Sequence, residues 1–217
     1  MFGIADSAML KDTGYATRAI AAVGITASLN YWVVCITTYF FIGLTVSVAQ
    51  AYGSGEREKC RVYTARFLPI AAGMALFCSL VFSIGSPLFV RLMGANEEIY
   101  ADAVAYFRIV SAGYLFHIFN CMVTAALRGV GITRLPMIYN LGSGALNVFL
   151  NRALIGGRFG FPALGVAGAA WATTISRGAA FVMASVLLFF GRSDVSLRGM
   201  KLLSRATKKI LRQTSLK

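Results

Sequence analysis

FLPIAAGMALFCSLVFSIGSPLFV, residues 67–90, is the stretch on which the fold turns: 24 residues without a charged side chain, held between Arg66 and Arg91. The hydrocarbon core of a bilayer is ~30 Å thick and an α-helix rises ~1.5 Å per residue, so ~20 mostly apolar residues suffice to cross it. Four further stretches, residues 22–51, 104–126, 136–155 and 164–190, have the same character. Three are interrupted by charge or by histidine: Arg108 and His117 fall in the third run along the chain, Arg152 near the end of the fourth and Arg177 in the last. Membrane strands are the poorer explanation, because a barrel shows ~10-residue segments that alternate apolar with polar, and these runs are longer and do not alternate.

Composition points the same way. Of the 217 residues, 58% are hydrophobic and 13% charged, against ~45–50% and ~25% in soluble domains. Mean hydropathy is +0.70. So few charges cannot cover a water-facing surface, and lipid is expected to cover much of it. The net charge of +13 does not indicate nucleic acid, because basic nucleic-acid binders carry their charge on a polar fold; here it sits in short loops and one tail. Four cysteines without CxxC spacing indicate neither a metal site nor a disulfide framework. Met1 is followed at once by Phe-Gly-Ile-Ala-Asp, without the basic and long apolar regions of a cleavable signal.

Cytoplasmic loops are enriched in Lys and Arg, and the connections alternate accordingly. Arg57, Lys59, Arg61 and Arg66 follow the first run; Glu97, Glu98 and Asp102 stand against Arg91 after the second; Arg128 and Arg134 follow the third without an acid. Cytoplasm, outside, cytoplasm is the resulting order. From Arg192 onward eight basic residues accompany one acid, Asp194, which puts the tail in the cytoplasm. Leu197, Met200, Leu203 and Ile210 recur there at roughly helical spacing among the basic residues, as in a helix lying on anionic lipid; a solvated charged terminus is the plainer reading.

The expected architecture is an all-α membrane protein: a polytopic helical bundle of about five complete transmembrane helices plus the stub of a truncated first helix. Residues 1–12 are the expected remnant of that helix, residues 13–190 the bundle, and residues 191–217 the basic tail or linker.

Several local patterns, in order, resemble the amino-terminal lobe of the multidrug and toxic compound extrusion family. Ala5-Asp6-Ser7, then Gly14 and Ala21-Ala22-Val23-Gly24, is similar to the family's passage from helix one to helix two. Gln50-Ala51-Tyr52-Gly53-Ser54-Gly55 resembles the helix-two exit, and Arg91-Leu92-Met93-Gly94-Ala95 the outer end of helix three. Leu127-Arg128-Gly129-Val130-Gly131 with Thr133-Arg134-Leu135-Pro136-Met137 resembles the loop between helices four and five. Asn147-Val148-Phe149-Leu150-Asn151, followed by Leu164-Gly165-Val166-Ala167-Gly168-Ala169-Ala170-Trp171, is similar to helix five leading into helix six. Together these span residues 5–177.

The resemblance implies a plasma-membrane antiporter, in bacteria of the inner membrane, built from two six-helix lobes. It expels mostly cationic or amphiphilic compounds in exchange for protons or sodium, without a cofactor. Its partners are the bilayer, a small-molecule substrate and a second lobe or homodimer mate, with no nucleic acid. A truncated product without transport of its own, or an assembly partner of a second lobe, is an alternative. A lipid-linked precursor flippase of the wider superfamily is another, but its cavity is expected to gather basic residues, and no such cluster is evident inside the spans.

Asp6 is the sharpest candidate residue, since an intramembrane carboxylate is costly and tends to be functional; the resemblance gives it a part in cation coupling. A solvated residue near the terminus is its plain alternative. Asn147 and Asn151, four apart, share one helix face and can serve Asp6 or a substrate, or simply join helices. Some archaeal members resemble this segment but carry an acid at the second position, so Asn151 argues against a two-carboxylate proton site. Tyr31, Trp32, Tyr39 and Phe40 offer ring faces to a flat cation, although packing against lipid is the commoner use.

Arg108 is expected to pair with Asp102 or Glu98, and Arg152 and Arg177 to snorkel or neutralise helix ends. His117 is expected to be a hydrogen-bonded packing residue, and Gly165, Gly168, Ala169 and Ala172 to allow close helix approach. Gly129-Val-Gly131 is no nucleotide loop, as no Lys-Ser or Lys-Thr follows. One histidine and eight acids, most in loops, leave no nucleophile with a base partner, so an enzyme is not expected.

Overall fold

The computed structural model describes residues 16–157, 162–191 and 193–197. Asp6, the expected remnant 1–12 and the tail beyond residue 197 lie outside the described residues. Among those described, eight helical segments occur: α1 (Ala16–Phe40), α2 (Ile42–Gly53), α3 (Arg57–Ile84), α4 (Ser86–Leu92), α5 (Glu97–Ala112), α6 (Tyr114–Gly129), α7 (Arg134–Leu154) and α8 (Gly165–Phe190).

The expected first span is α1 and α2 together. Phe41 breaks the helix only nominally: its N–H still reaches the Thr37 carbonyl at 3.3 Å and its own carbonyl accepts from Thr45 at 3.1 Å, so Arg18–Gly53 forms one 36-residue apolar span. The second span both begins and ends earlier than expected, running from Arg57 to Ile84, with Gly85 as its cap and residues 86–90 in α4. Cys60, which stands in the sequence among the charged residues Arg57, Lys59 and Arg61, is therefore on the buried face of α3, its thiol 3.6 Å from the Val48 carbonyl.

The third span is a bent pair. Its acids Glu97 and Glu98 form the first turn of α5, where negative charge meets the positive end of the helix dipole. Helices α5 and α6 then meet at 42° about Gly113, whose N–H bonds to the Val110 carbonyl at 3.0 Å. Of the five expected spans, three are long and apolar enough to cross a membrane, or four if the bent pair counts as one. The remaining helix, α7, has 21 residues, sufficient in length but interrupted by Asn140, Ser143, Asn147 and Asn151. Pro136, expected at its first position, stands in the third because the helix starts at Arg134; no bond is lost, since the first four N–H groups of a helix have no partner inside it.

Two glycines set the closest approaches between helices. A Cβ on Gly129 would lie 2.7 Å from Val48 Cβ, and one on Gly168 would lie 2.6 Å from the Leu154 carbonyl oxygen; Gly168, with the buried Ala169 and Ala172, performs the packing expected of it, whereas Gly165, expected to join them, sits at φ +54° with nothing within 4 Å of an added Cβ. α6 packs against α2, α3 and α8, while α7 packs on α8 and α1 on α5. The outer faces are apolar: Ile70, Phe77, Leu80 and Ile84 on α3 and Val182, Met183, Val186 and Phe190 on α8 are all exposed. Patches so extended are not left to water in soluble proteins, and a lipid bilayer is the medium that suits them.

The two charged ends are distinct. Arg57 at the start of α3 lies 3.6 Å from Asp194, beyond the end of α8, and the Leu197 N–H folds back onto the Leu188 carbonyl at 2.8 Å. At the other end, Arg18 donates to the Glu98 carbonyl, and the Arg91 guanidinium lies over the Tyr100 ring.

Candidate substrate cavity

α6 is apolar on the side that enters the core, through Ile118 and Met122. Its other stripe carries His117, Asn120, Cys121, Thr124 and Arg128. Those intervals of three and four place them on one face, and that face lines a cavity of about 1340 Å³. α7 opposes it with Met137, Asn140, Leu141, Ser143, Asn147 and Val148, again at helical spacing, which explains why this helix is too polar to pass as a simple span. Thr38, Phe41 and Thr45 close one side, and Arg177 and Ala180 of α8 the other.

The polar wall is cross-linked. Asn120 Nδ2 donates to Asn140 Oδ1 at 3.0 Å, and Asn140 Nδ2 to the Pro136 carbonyl at 2.7 Å. The hydroxyls of Thr124 and Tyr139 are 2.7 Å apart, and Ser143 donates to the Ser176 carbonyl at 2.6 Å. Such bonds fix side-chain directions before any ligand arrives, which reduces the ordering cost of binding.

Asn147 and Asn151 are both buried. Asn151 Nδ2 donates to Asn147 Oδ1 and Asn147 Nδ2 to Thr173 Oγ1, both at 3.3 Å, so the pair joins α7 to α8. Only Asn147 reaches the cavity wall. Tyr31, Trp32 and Tyr39 are 65%, 65% and 70% exposed and none lines the cavity. Tyr31 shares the Thr38 stripe but lies about 10 Å further along the axis, while Trp32 and Tyr39 are turned one position, ~100°, away from that stripe. Phe40 is likewise outside the wall.

Arg177 departs most from expectation. It does not snorkel: it is 4% exposed, donating from Nη2 to Asn30 Oδ1 at 3.1 Å and from Nη1 to the Val110 carbonyl at 3.4 Å, with its guanidinium 5.7 Å from the centre of the Tyr114 ring. The reason is position. Arg177 sits near the middle of the 26-residue α8, several turns from either end, on the face that meets α5 and α6. Arg152 is exposed, and Arg108 Nε approaches the Ser83 carbonyl at 3.5 Å rather than either expected acid. His117, placed in the packing by sequence, has Nε2 3.4 Å from Cys121 Sγ but also borders the cavity. Although no basic cluster stands out in the linear spans, Arg128, Arg134 and Arg177, from three helices, border one cavity. The α6 stripe was visible as spacing, whereas the convergence of the arginines required the fold.

A helical bundle with an apolar outside and a hydrogen-bonded polar cavity belongs to the class of polytopic membrane proteins. Comparison makes the class specific. The MatE family model matches residues 1–152, so the chain belongs to the MatE, or multidrug and toxic compound extrusion, family. It is 36% identical over 203 residues to the probable multidrug resistance protein NorM of Thermotoga maritima, covering 91% of this chain and 42% of that protein. It is 30% identical to the uncharacterized transporter YisQ of Bacillus subtilis, covering 81% and 38%. The crystal structure of a MATE protein in the bent conformation superposes with a TM-score of 0.84 at 23% identity, over 99% of this chain and 47% of that one. The chain thus spans about two fifths of the length of the curated relatives it matches.

Proposed function

We propose that this chain is the amino-terminal lobe of a secondary antiporter that expels amphiphilic drugs or metabolites across a plasma membrane in exchange for protons or sodium ions. The observation that carries this reading is the cavity between α6 and α7, whose amides and hydroxyls are pre-arranged on one wall among apolar side chains. Alternating access proceeds by rocking one lobe against another about such a site. The second lobe is supplied by a longer polypeptide, by a separate chain or by a second copy. Asp6 is the proposed coupling carboxylate, with Asn147 and Asn151 holding the α7–α8 joint beside the cargo. Aromatic contact by Tyr31, Trp32 and Tyr39 falls to the part of the passage outside the cavity described here. The tail faces the cytoplasm in this reading.

The test is dye flux in proteoliposomes of the purified chain under an imposed pH or sodium gradient. Flux that requires the gradient and falls on Asp6→Asn is expected. Gradient-independent flux, or equal flux from both forms, removes the antiport assignment or Asp6 from it. No flux from the chain alone, restored on adding a second lobe, assigns it as an assembly partner.

A further inference from the structure

We infer that the cavity selects an anionic amphiphile, a carboxylate or phosphate head on an apolar body, rather than a cation. This rests on the cargo-binding role proposed for the cavity and adds the sign of the charge. The amides of Asn120, Asn140 and Asn147 donate and accept alike, so they favour neither sign. The decision falls to the ionisable groups. Arg128, Arg134 and Arg177 line the wall, and no Asp or Glu does among the described residues. Were Asp6 to join the wall, where the family resemblance would place it, arginines would still outnumber it three to one.

The placement of the three charges suits an anion that enters and then settles. Arg128, in the last turn of α6, and Arg134, in the first turn of α7, are both exposed at the end of the cavity where those helices meet. Neither makes an ion pair among the described residues. Charges of one sign at a mouth with low-dielectric walls concentrate the opposite ion. Deeper in, Arg177 also borders the cavity, and because its guanidinium is held by Asn30, the Val110 carbonyl and the Tyr114 ring, it stands there as a fixed positive charge that attracts an anionic head. The same three charges repel cations, which is how a site discriminates by its unfavourable contacts. Phe41, Met137, Leu141 and Val148 complete the wall for an apolar body.

The experiment uses the full chain in phosphatidylcholine nanodiscs, with carboxyfluorescein as the anionic probe and rhodamine 6G as the cationic one, read by fluorescence anisotropy. Carboxyfluorescein is expected to bind at least about tenfold more tightly and to weaken as salt rises. Arg128→Gln with Arg134→Gln, both at exposed positions, should weaken it by about tenfold and leave rhodamine 6G unchanged or tighter. Arg177→Met should weaken it further and Arg177→Lys less so; if Arg177→Met does not fold, the exposed pair carries the test alone. Nanodiscs containing phosphatidylglycerol separate the sources: displacement of the dye assigns the anion to a lipid headgroup, no displacement to a free organic anion, and both support the anionic class. Equal or tighter rhodamine 6G binding, or an unchanged carboxyfluorescein affinity in the Arg128/Arg134 variant, overturns the inference while leaving the cavity a cargo site. Binding of neither dye overturns both.

Discussion

The Thr174 hydroxyl donates to the Ile109 carbonyl at 3.1 Å, and this bond completes the bend between α5 and α6. In an unbroken helix the Gly113 N–H would take the Ile109 carbonyl, four residues back. Here it takes Val110 instead, and a side chain from α8 satisfies the carbonyl left over. Backbone groups within a membrane must find partners inside the protein. Thr174→Val is therefore expected to lower stability by about 1 kcal/mol, the range measured for interhelical hydrogen bonds in membranes, and Thr174→Ser to restore most of it. Thermal unfolding in detergent checks this; equal midpoints for the valine and serine variants would remove the bond from the account of the bend.

Close approach of α7 and α8 yields a second expectation. A methyl on Gly168 meets the Leu154 carbonyl oxygen at 2.6 Å, whereas one on Gly142, in the middle of α7, meets nothing within 4 Å. Gly168→Ala should cost about 1–3 kcal/mol by overpacking against backbone that cannot turn aside. Gly142→Ala should be neutral or gain up to about 1 kcal/mol from helix propensity. The pair of midpoints decides between packing and a general intolerance of glycine replacement.

The Arg57–Asp194 contact places the α2–α3 turn and the segment after α8 at one end of the bundle. With the four free cysteines replaced, an impermeant maleimide applied to intact cells should label Glu97→Cys, and should label Ser54→Cys and Ser193→Cys only after permeabilisation. Labelling of Ser54→Cys and Glu97→Cys from the same side contradicts the transmembrane arrangement. The ion pair itself is solvent-exposed on the arginine side, and Asp194→Asn should change stability by less than about 1 kcal/mol.

Much of the bundle is legible in the linear chain because lipid imposes one requirement on every span, and long uncharged runs such as residues 67–90 satisfy little else. The loop charges separate the two ends for a similarly general reason. The bend at Gly113 is not legible in this way, since glycine inside an apolar run marks packing and bending alike. Nor is the cavity wall. Asn120 and Thr124 carry a helical spacing with His117 and Arg128, but their meaning depends on which face of α6 meets α7. Arg177 looks like a residue for the interface until Asn30, 147 positions earlier, is brought beside it.

That long-range contact supports the last prediction. Removing one partner of a buried charged hydrogen bond costs more than the bond itself is worth, because the remaining group stays desolvated. Asn30→Ala removes the Oδ1 acceptor from the guanidinium, and is expected to destabilise by about 1–3 kcal/mol. Arg177→Met removes the charge together with its desolvation cost, so its own loss should be comparable or smaller despite the larger change in chemistry. In the double variant the two effects should not add: a coupling of about 1 kcal/mol or more between residues in direct contact is the signature of a shared interaction. Additive losses in this cycle would mean that Asn30 stabilises α1 independently, and that the position of Arg177 in the wall is set by α5 and α6 alone.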